Sequence, residues 1–239
     1  MIKGLLFDYG GTIDTNGLHW AVVLRNSYEK FDIQIPKDLF FLAYSFGERS
    51  LAINPIVQPS FTFLQVLRAK IEQQFNFLKE NGVELDPAFV DKIANDCNDF
   101  ARQTVQQAKV VLEELAVDFP LVMVSNFYGN LNAVLEDFGI RHLFQDVVES
   151  AVVGVRKPNP AIYGLGVERL GFQPEECLVI GDSFSKDIIP GKEIGCRTLW
   201  LNGIGWEDDD HLSASNTNSV LADKEIKDFK EIKNYLANH

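Results

Sequence analysis

The sequence predicts an α/β protein: a parallel sheet with helices on both faces and an all-helical domain inserted after the first strand. Three observations predict it. Short apolar runs that stop at polar residues recur at 5–7, 120–124 and 178–180, with helical patterns between the later ones, the alternation of a parallel sheet. Residues from about 16 to 103 show helical periodicity and no convincing strand. The 239 residues, 46% of them hydrophobic with 18 Phe, suffice for one large domain or two small ones around a sizeable core.

The first strand, 5–7, runs into Asp8, with Gly10 and Gly11 just beyond. A buried strand delivers such a carboxylate to the crevice at the sheet's C-terminal edge, where ligands bind. The glycines let the backbone turn sharply and come close to a ligand. Trp20, Val23, Leu24, Tyr28 and Phe31 then share one helix face. Pro36 opens a second helical segment through Phe46, and Asn54-Pro55 and Gln58-Pro59 mark a loop. Ser60 is the expected N-cap of a third helix, striped by Leu64, Leu67, Ile71, Phe75 and Leu78 and stopped at Asn81-Gly82. Asp86-Pro87 opens a fourth, with Phe89, Val90, Ile93, Cys97, Phe100 and Ala101 on its apolar face.

Val110, Val111, Leu112 and Leu115 end a helix, and strand 120–124 stops at Ser125-Asn126. Leu131, Val134, Leu135 and Phe138 form a helix closed by Gly139. A strand is expected over 146–153, a helix over 160–170, and a strand at 178–180 that stops at Gly181-Asp182. A helix over 188–194, a strand over 198–201 and a closing helix over 226–236 complete the pattern. Glu207 to Asp210 and the polar tract through Ser219 predict a solvated loop.

The net charge of −12 argues against non-specific nucleic-acid binding, which rests on basic contacts to phosphates, and against an anionic membrane surface. A small phosphate substrate stays open, because a metal ion and local cations can reverse the field inside a cleft. No run approaches the length of a membrane span, and no basic region followed by a long apolar segment marks a signal peptide. Cys97, Cys177 and Cys196 lack metal-ligand spacing, which predicts reduced thiols in a cytoplasmic protein.

Three strands thus end at or beside Asp8, Ser125 and Asp182, and the loop between the last two holds Arg156-Lys157-Pro158-Asn159-Pro160. If these strands are neighbours, two carboxylates, a hydroxyl, a lysine and a glycine turn converge. Paired carboxylates favour a hard cation such as Mg²⁺, which shares its shell with substrate phosphate. The lysine and hydroxyl would hold phosphoryl oxygens, and one carboxylate can serve as a nucleophile.

Four stretches carry a resemblance: Phe7-Asp8-Tyr9-Gly10-Gly11-Thr12, Val124-Ser125-Asn126, Lys157-Pro158-Asn159-Pro160, and Gly181-Asp182-Ser183-Phe184-Ser185-Lys186-Asp187. In this order they resemble the motifs of the haloacid dehalogenase superfamily of hydrolases, in its subfamily with a helical cap inserted after the first motif. The resemblance implies a Rossmann-like catalytic core formed by residues 1–15 and 104–239 and a helical cap domain over 16–103. It implies a Mg²⁺-dependent phosphatase acting on a small phosphorylated metabolite, with Asp8 as the nucleophile that forms a phosphoaspartyl intermediate. Ser125 and Lys157 would complete the catalytic set. Gly11, Thr12, Ser125, Asn126 and Lys157 would contact substrate. Asp8, the Gly10 carbonyl and Asp182 would bind the metal, with Asp187 acting through water or behind them.

One position departs from the family's pattern. Its phosphatases usually carry a second aspartate two residues after the nucleophile, as general acid and base, and this chain has Gly10 there. Haloacid dehalogenases have a tyrosine at that position. Phosphonate-cleaving members have a small residue and recruit a cap lysine, for which Lys30, Lys37 and Lys70 are available. Carbon–phosphorus or carbon–halogen cleavage therefore stands as an alternative, as does a phosphate-binding regulatory protein of weakened turnover. Asp14 and His19 are the nearest substitute acids and are expected to be structural or solvated.

Overall fold

A computed structural model describes residues 1–205 and 222–238. The strands are β1 (Gly4–Phe7), β2 (Leu121–Ser125), β3 (Asp146–Glu149), β4 (Cys177–Gly181), β5 (Arg197–Leu201) and β6 (Lys224–Ile226). They form one sheet in the order β3-β2-β1-β4-β5-β6, parallel throughout. β1 is central and wholly buried, as its apolar sequence requires. Leu5 pairs with Leu121 on one side and Leu178 on the other.

Alternation along the strands sorts two packing faces. Leu5, Phe7, Met123 and Ile180 join the larger core, while Leu6, Val122, Val124 and Val179 point to the other side. The larger core is continuous with the helices α1 (Trp20–Lys30), α2 (Lys37–Ile53), α3 (Phe63–Glu80) and α4 (Ala88–Asp118). It also holds residues of α5 (Leu131–Asp137) and of the C-terminal helix. The single helical turn α6 (Ser150–Val153) follows β3. The opposite face is covered by α7 (Ala161–Leu170), through Ile162, Tyr163, Val167 and Leu170. A wide helical turn over Phe184–Ile188, α8 (Ile189–Glu193) and α9 (Glu231–Leu236) complete the chain. α4 is 31 residues long, about 45 Å, and runs through residue 103 without a break. The cap boundary expected there falls inside this helix.

Several local expectations are corrected. The N-cap of α3 is Thr62, not Ser60, because the Gln65 side chain accepts from the Thr62 N–H at 2.8 Å in a capping box. The strand expected over 146–153 stops at Glu149, which pairs with the last residue of β2, Ser125. Beyond that rung β2 offers no partner, and the chain turns into α6. The helix expected over 226–236 is shorter, because Lys224–Ile226 adds a parallel strand against β5. The helix over 188–194 is preceded by the wide turn, whose first residues follow directly on Asp182 and Ser183. The acidic and polar tract over 207–219 lies outside the described residues. Among the described residues no helix is long and apolar enough to cross a membrane.

Candidate active site

β2, β1 and β4 are adjacent, so their C-terminal ends bring Ser125, Asp8 and Asp182 together. The chain leaves β1 for β2 and β3 on one side and returns to β4 on the other. The site therefore sits at the reversal of strand order, where open α/β sheets bind ligands. Cavity walls are supplied by this edge and by α2 and α3, around a volume of about 390 Å³.

Asp8, 5% exposed, is the hub. Its Oδ1 accepts from Lys157 Nζ at 2.6 Å and from Ser125 Oγ at 3.4 Å, and its Oδ2 faces Thr12 Oγ1 at 3.1 Å. Thr12 Oγ1 also lies 3.0 Å from Asp182 Oδ1 and accepts from the Asp182 N–H, so one hydroxyl bridges the two carboxylates. Lys157 Nζ makes a second ion pair at 2.7 Å to Asp187 Oδ1. Asp187 is held in turn by the Tyr163 hydroxyl at 2.7 Å and the Ser183 N–H at 3.0 Å. Carboxylate oxygens of Asp8, Asp182 and Asp187 all lie within 4.8 Å of one another.

Burial dominates the electrostatics. It raises the Asp8 carboxyl, with Lys157 opposing and Asp187 adding to the rise. It raises Asp182 well above the usual range, and the charges of Asp8 and Asp187 push the same way. Burial works against the Lys157 ammonium too, but Asp187 and Asp8 outweigh it and hold its pKa above the usual lysine value. Three clustered carboxylates, two of them buried, share one lysine, so when ionised they carry two negative charges in excess. That imbalance, the oxygen-only donor set and the close spacing fit a hard divalent cation.

Every site residue expected from the sequence lies on this edge of the sheet. Gly11 has φ +95, and a Cβ there would sit 2.3 Å from Asp182 Oδ2. Only glycine permits both that backbone and that approach. The polar groups of three residues expected to contact substrate are engaged within the protein. The Gly11 N–H donates to Asp14, the Thr12 hydroxyl bridges carboxylates, and the Asn126 amide clamps the Lys157 backbone at 2.9 and 3.2 Å. Asp14 is buried, accepts from Trp20 Nε1 at 2.9 Å, and is raised by burial to about 7. His19 caps α1, its Nδ1 accepting from the Ala21 N–H at 3.1 Å. Both are tied to neighbouring groups, and both line the cavity.

Two supporting residues escaped the sequence reading. Tyr163 braces Asp187 and sets its ring 5.1 Å from Lys157 Nζ. Its place in an apolar helical stripe gave no hint of this. Glu149 accepts from the Gly129 and Leu131 N–H groups and so fixes the loop beyond Ser125. Lys70, one of three cap lysines available on sequence alone, is 6% exposed, lines the cavity and pairs with Glu48 at 2.5 Å. By contrast, Lys30 is turned outward onto Asp96.

Comparison with known proteins bears on this arrangement. The sequence model of the haloacid dehalogenase-like hydrolases matches residues 2–195. The chain is 27% identical over 210 residues to the HAD-hydrolase YfnB of Bacillus subtilis, covering 84% of each. It is 28% identical over 169 residues to the pyrimidine 5'-nucleotidase YjjG of Escherichia coli, covering 70% of this chain and 72% of the relative. The crystal structure of YfnB bound to magnesium superposes with a TM-score of 0.59 at 23% identity, covering 99% of each chain. With a family match across most of its length and its motif residues gathered on one edge of a parallel sheet, the chain belongs to the haloacid dehalogenase-like hydrolases.

Proposed function

We propose that this hydrolase is a Mg²⁺-dependent phosphatase of a small phosphorylated metabolite, working through a phosphoaspartyl intermediate at Asp8. The observation that carries the reading is Lys157 Nζ locked between Asp8 and Asp187 at 2.6 and 2.7 Å, beside Asp182. A nucleophilic carboxylate must be ionised, and burial opposes that at Asp8. Lys157 supplies the first compensating charge, and its position is fixed by Asp187, Tyr163 and the Asn126 clamp. The Asp8 oxygen attacks phosphorus, the ester oxygen leaves, and water then cleaves the acyl phosphate. Ser125 Oγ and Lys157 stand where phosphoryl oxygens would gather.

Asp8, Asp182 and the Gly10 carbonyl would hold Mg²⁺, with Asp187 behind them. When bound, the ion would neutralise phosphoryl oxygens and orient the ester for in-line attack. The cap, residues 16–103, would close over residues 1–15 and 104–239 and select the substrate. The pyrimidine 5'-nucleotidase and magnesium-bound relatives support this reading, and three buried free cysteines support a cytoplasmic setting.

The test is Mg²⁺-dependent hydrolysis of p-nitrophenyl phosphate and of a simple alkyl phosphate, beside Asp8→Asn. Loss of the rate in Asp8→Asn is expected. An unchanged rate refutes the assignment.

The placement of Lys70 in the cavity favours one second reading, carbon–phosphorus cleavage through an imine. Its ion pair with Glu48 opposes this, since an ammonium held by a carboxylate is not a free nucleophile. Borohydride trapping of Lys70 in the presence of a phosphonoaldehyde would reverse the preference.

Gly10 favours another reading, a phosphate-binding protein with little turnover. It predicts a rise in thermal stability with Mg²⁺ and phosphate but no hydrolysis.

A further inference from the structure

The cavity is larger than a phosphoryl group needs. At about 390 Å³ it falls in the range, roughly 300–1,000 Å³, of sites that take whole small molecules. Its charge is unevenly distributed. The deep end holds Asp8, Asp14, Asp182 and Asp187 against Lys157 alone. Toward the cap the balance reverses: among the described residues, Lys70, Arg156 and Lys186 line the wall against Glu48. In a chain of net charge −12, a basic wall in the main cleft stands out from the rest of the surface.

This wall is a connected group. α2 and α3 approach so closely that a Cβ on Gly47 would lie 3.1 Å from the Lys70 carbonyl oxygen, which brings the next residue, Glu48, against Lys70. Glu48 Oε1 pairs with Lys70 Nζ at 2.5 Å, and Oε2 accepts from the Tyr128 hydroxyl. Both oxygens are thus engaged, and Glu48 presents no free anion to the cavity. An ammonium has three donors, so two of those on Lys70 remain for a ligand. Lys186 acts electrostatically on Glu48, and Arg156 on Tyr128. Arg156 and Lys186 are exposed and make no ion pair with another described residue. Each immediately precedes a buried site residue, Lys157 or Asp187, and all four line the cavity. Lys70 is buried while the Glu48 side chain is 32% exposed, and the pair faces the cleft, where a ligand can meet it.

We propose that Arg156, Lys186 and the Glu48-held Lys70 form a second anion subsite, and that the preferred substrate is a phosphate ester whose far end bears a carboxylate or a second phosphate. This rests on the phosphatase reading and narrows it to a substrate class. The phosphate to be cleaved lies at the carboxylate end, and the distal anion meets the basic wall under the cap.

Matched esters test it: glycerol 3-phosphate beside 3-phosphoglycerate, and a hexose 6-phosphate beside the hexose 1,6-bisphosphate. The wild type should favour the member with the extra anion by about tenfold or more in kcat/KM, mainly through KM. A preference confined to the first pair assigns the subsite to carboxylates, and one confined to the second assigns it to phosphates. Arg156→Gln and Lys186→Gln change exposed side chains and should each reduce the preference about 3–10-fold, while added salt reduces it further in the wild type. Equal rates within both pairs, or a preference untouched by either variant, overturns the subsite while leaving the phosphatase reading in place. If no ester turns over, the phosphatase reading falls. Calorimetric binding of the same pairs to Asp8→Asn then decides the subsite: tighter binding of the more anionic members sustains it, and equal or absent binding overturns it.

Discussion

Replacing Gly10 by aspartate would place a carboxyl group where the family's phosphatases carry their general acid. The backbone permits it. A Cβ on Gly10 meets no heavy atom within 4 Å, and Gly10 is not among the residues with positive φ. Folding should therefore be little affected, and a compatible glycine replacement can stabilise by about 0.4–1 kcal/mol. General acid–base catalysis contributes roughly 10²–10⁴-fold, or about 3–5 kcal/mol of barrier. Against this stands a fourth carboxylate beside Asp8, Asp182 and Asp187, with Lys157 their one close cation. The Cα of residue 10 lies at most about 7 Å from that of Asp8, so the two carboxylates can stand about 7 Å apart. At an effective dielectric near 20, that repulsion costs about 2–3 kcal/mol and favours the protonated form, the form an acid needs. The surplus predicts a gain of about 10- to 100-fold in kcat for an alkyl phosphate, whose alkoxide needs a proton to leave. The p-nitrophenolate leaves without one, so its rate should stay within about threefold. The assay is kcat for both esters in wild type and Gly10→Asp at saturating Mg²⁺. An unchanged alkyl-to-aryl ratio in a folded variant refutes the reasoning, and another group must then supply the proton.

The remaining predictions concern the charges around Asp8. Lys157→Met keeps the volume but leaves Asp8 and Asp187 buried without their cation; it should destabilise by about 3–5 kcal/mol in urea titrations and abolish hydrolysis, and a loss under 1 kcal/mol would show the pair to be weak. Gly11→Ala drives a methyl into the Asp182 carboxylate at a backbone angle that alanine resists, so calorimetry should show Mg²⁺ affinity falling at least about tenfold while the wild-type fold persists. Asp14 has its pKa raised by burial from 3.8 to about 7. A raised carboxyl contributes stability that is fully present below pH 3.8 and is lost as pH rises through about 7, amounting to about 4 kcal/mol in full. Denaturation in EDTA from pH 4 to 8 should therefore show a decline that is shallower in Asp14→Asn, and parallel curves would refute the assignment.

The sequence by itself determined the strands of the sheet's centre and the chemistry at their ends. β1, β2 and β4 are runs of apolar residues buried on both faces, legible because a short apolar run beside a polar stop reads as a buried parallel strand. Asp8, Ser125, Lys157 and Asp182 were legible for the same reason, each standing at the boundary between an apolar run or helix and a turn. The cap helices were legible from their stripes, since one buried face per helix imposes a 3.6-residue period. β6 was not, because three residues are too few to show a period, and its pairing depends on the free edge of β5. Nor was the end of β3, set by where its partner β2 stops.

Only the tertiary structure decided which polar groups meet. Tyr163 reaches Asp187 from α7, Glu149 crosses to the loop after β2, and Glu48 and Lys70 are joined by the close approach of α2 to α3 at Gly47. Periodicity records that a residue faces inward, but a buried charge is stable only beside a partner. That partner lies at a sequence distance fixed by how helices and strands pack. The deep carboxylates, the lysine that holds them and the basic wall opposite therefore belong to the fold, while the residue types that make them were present in the chain.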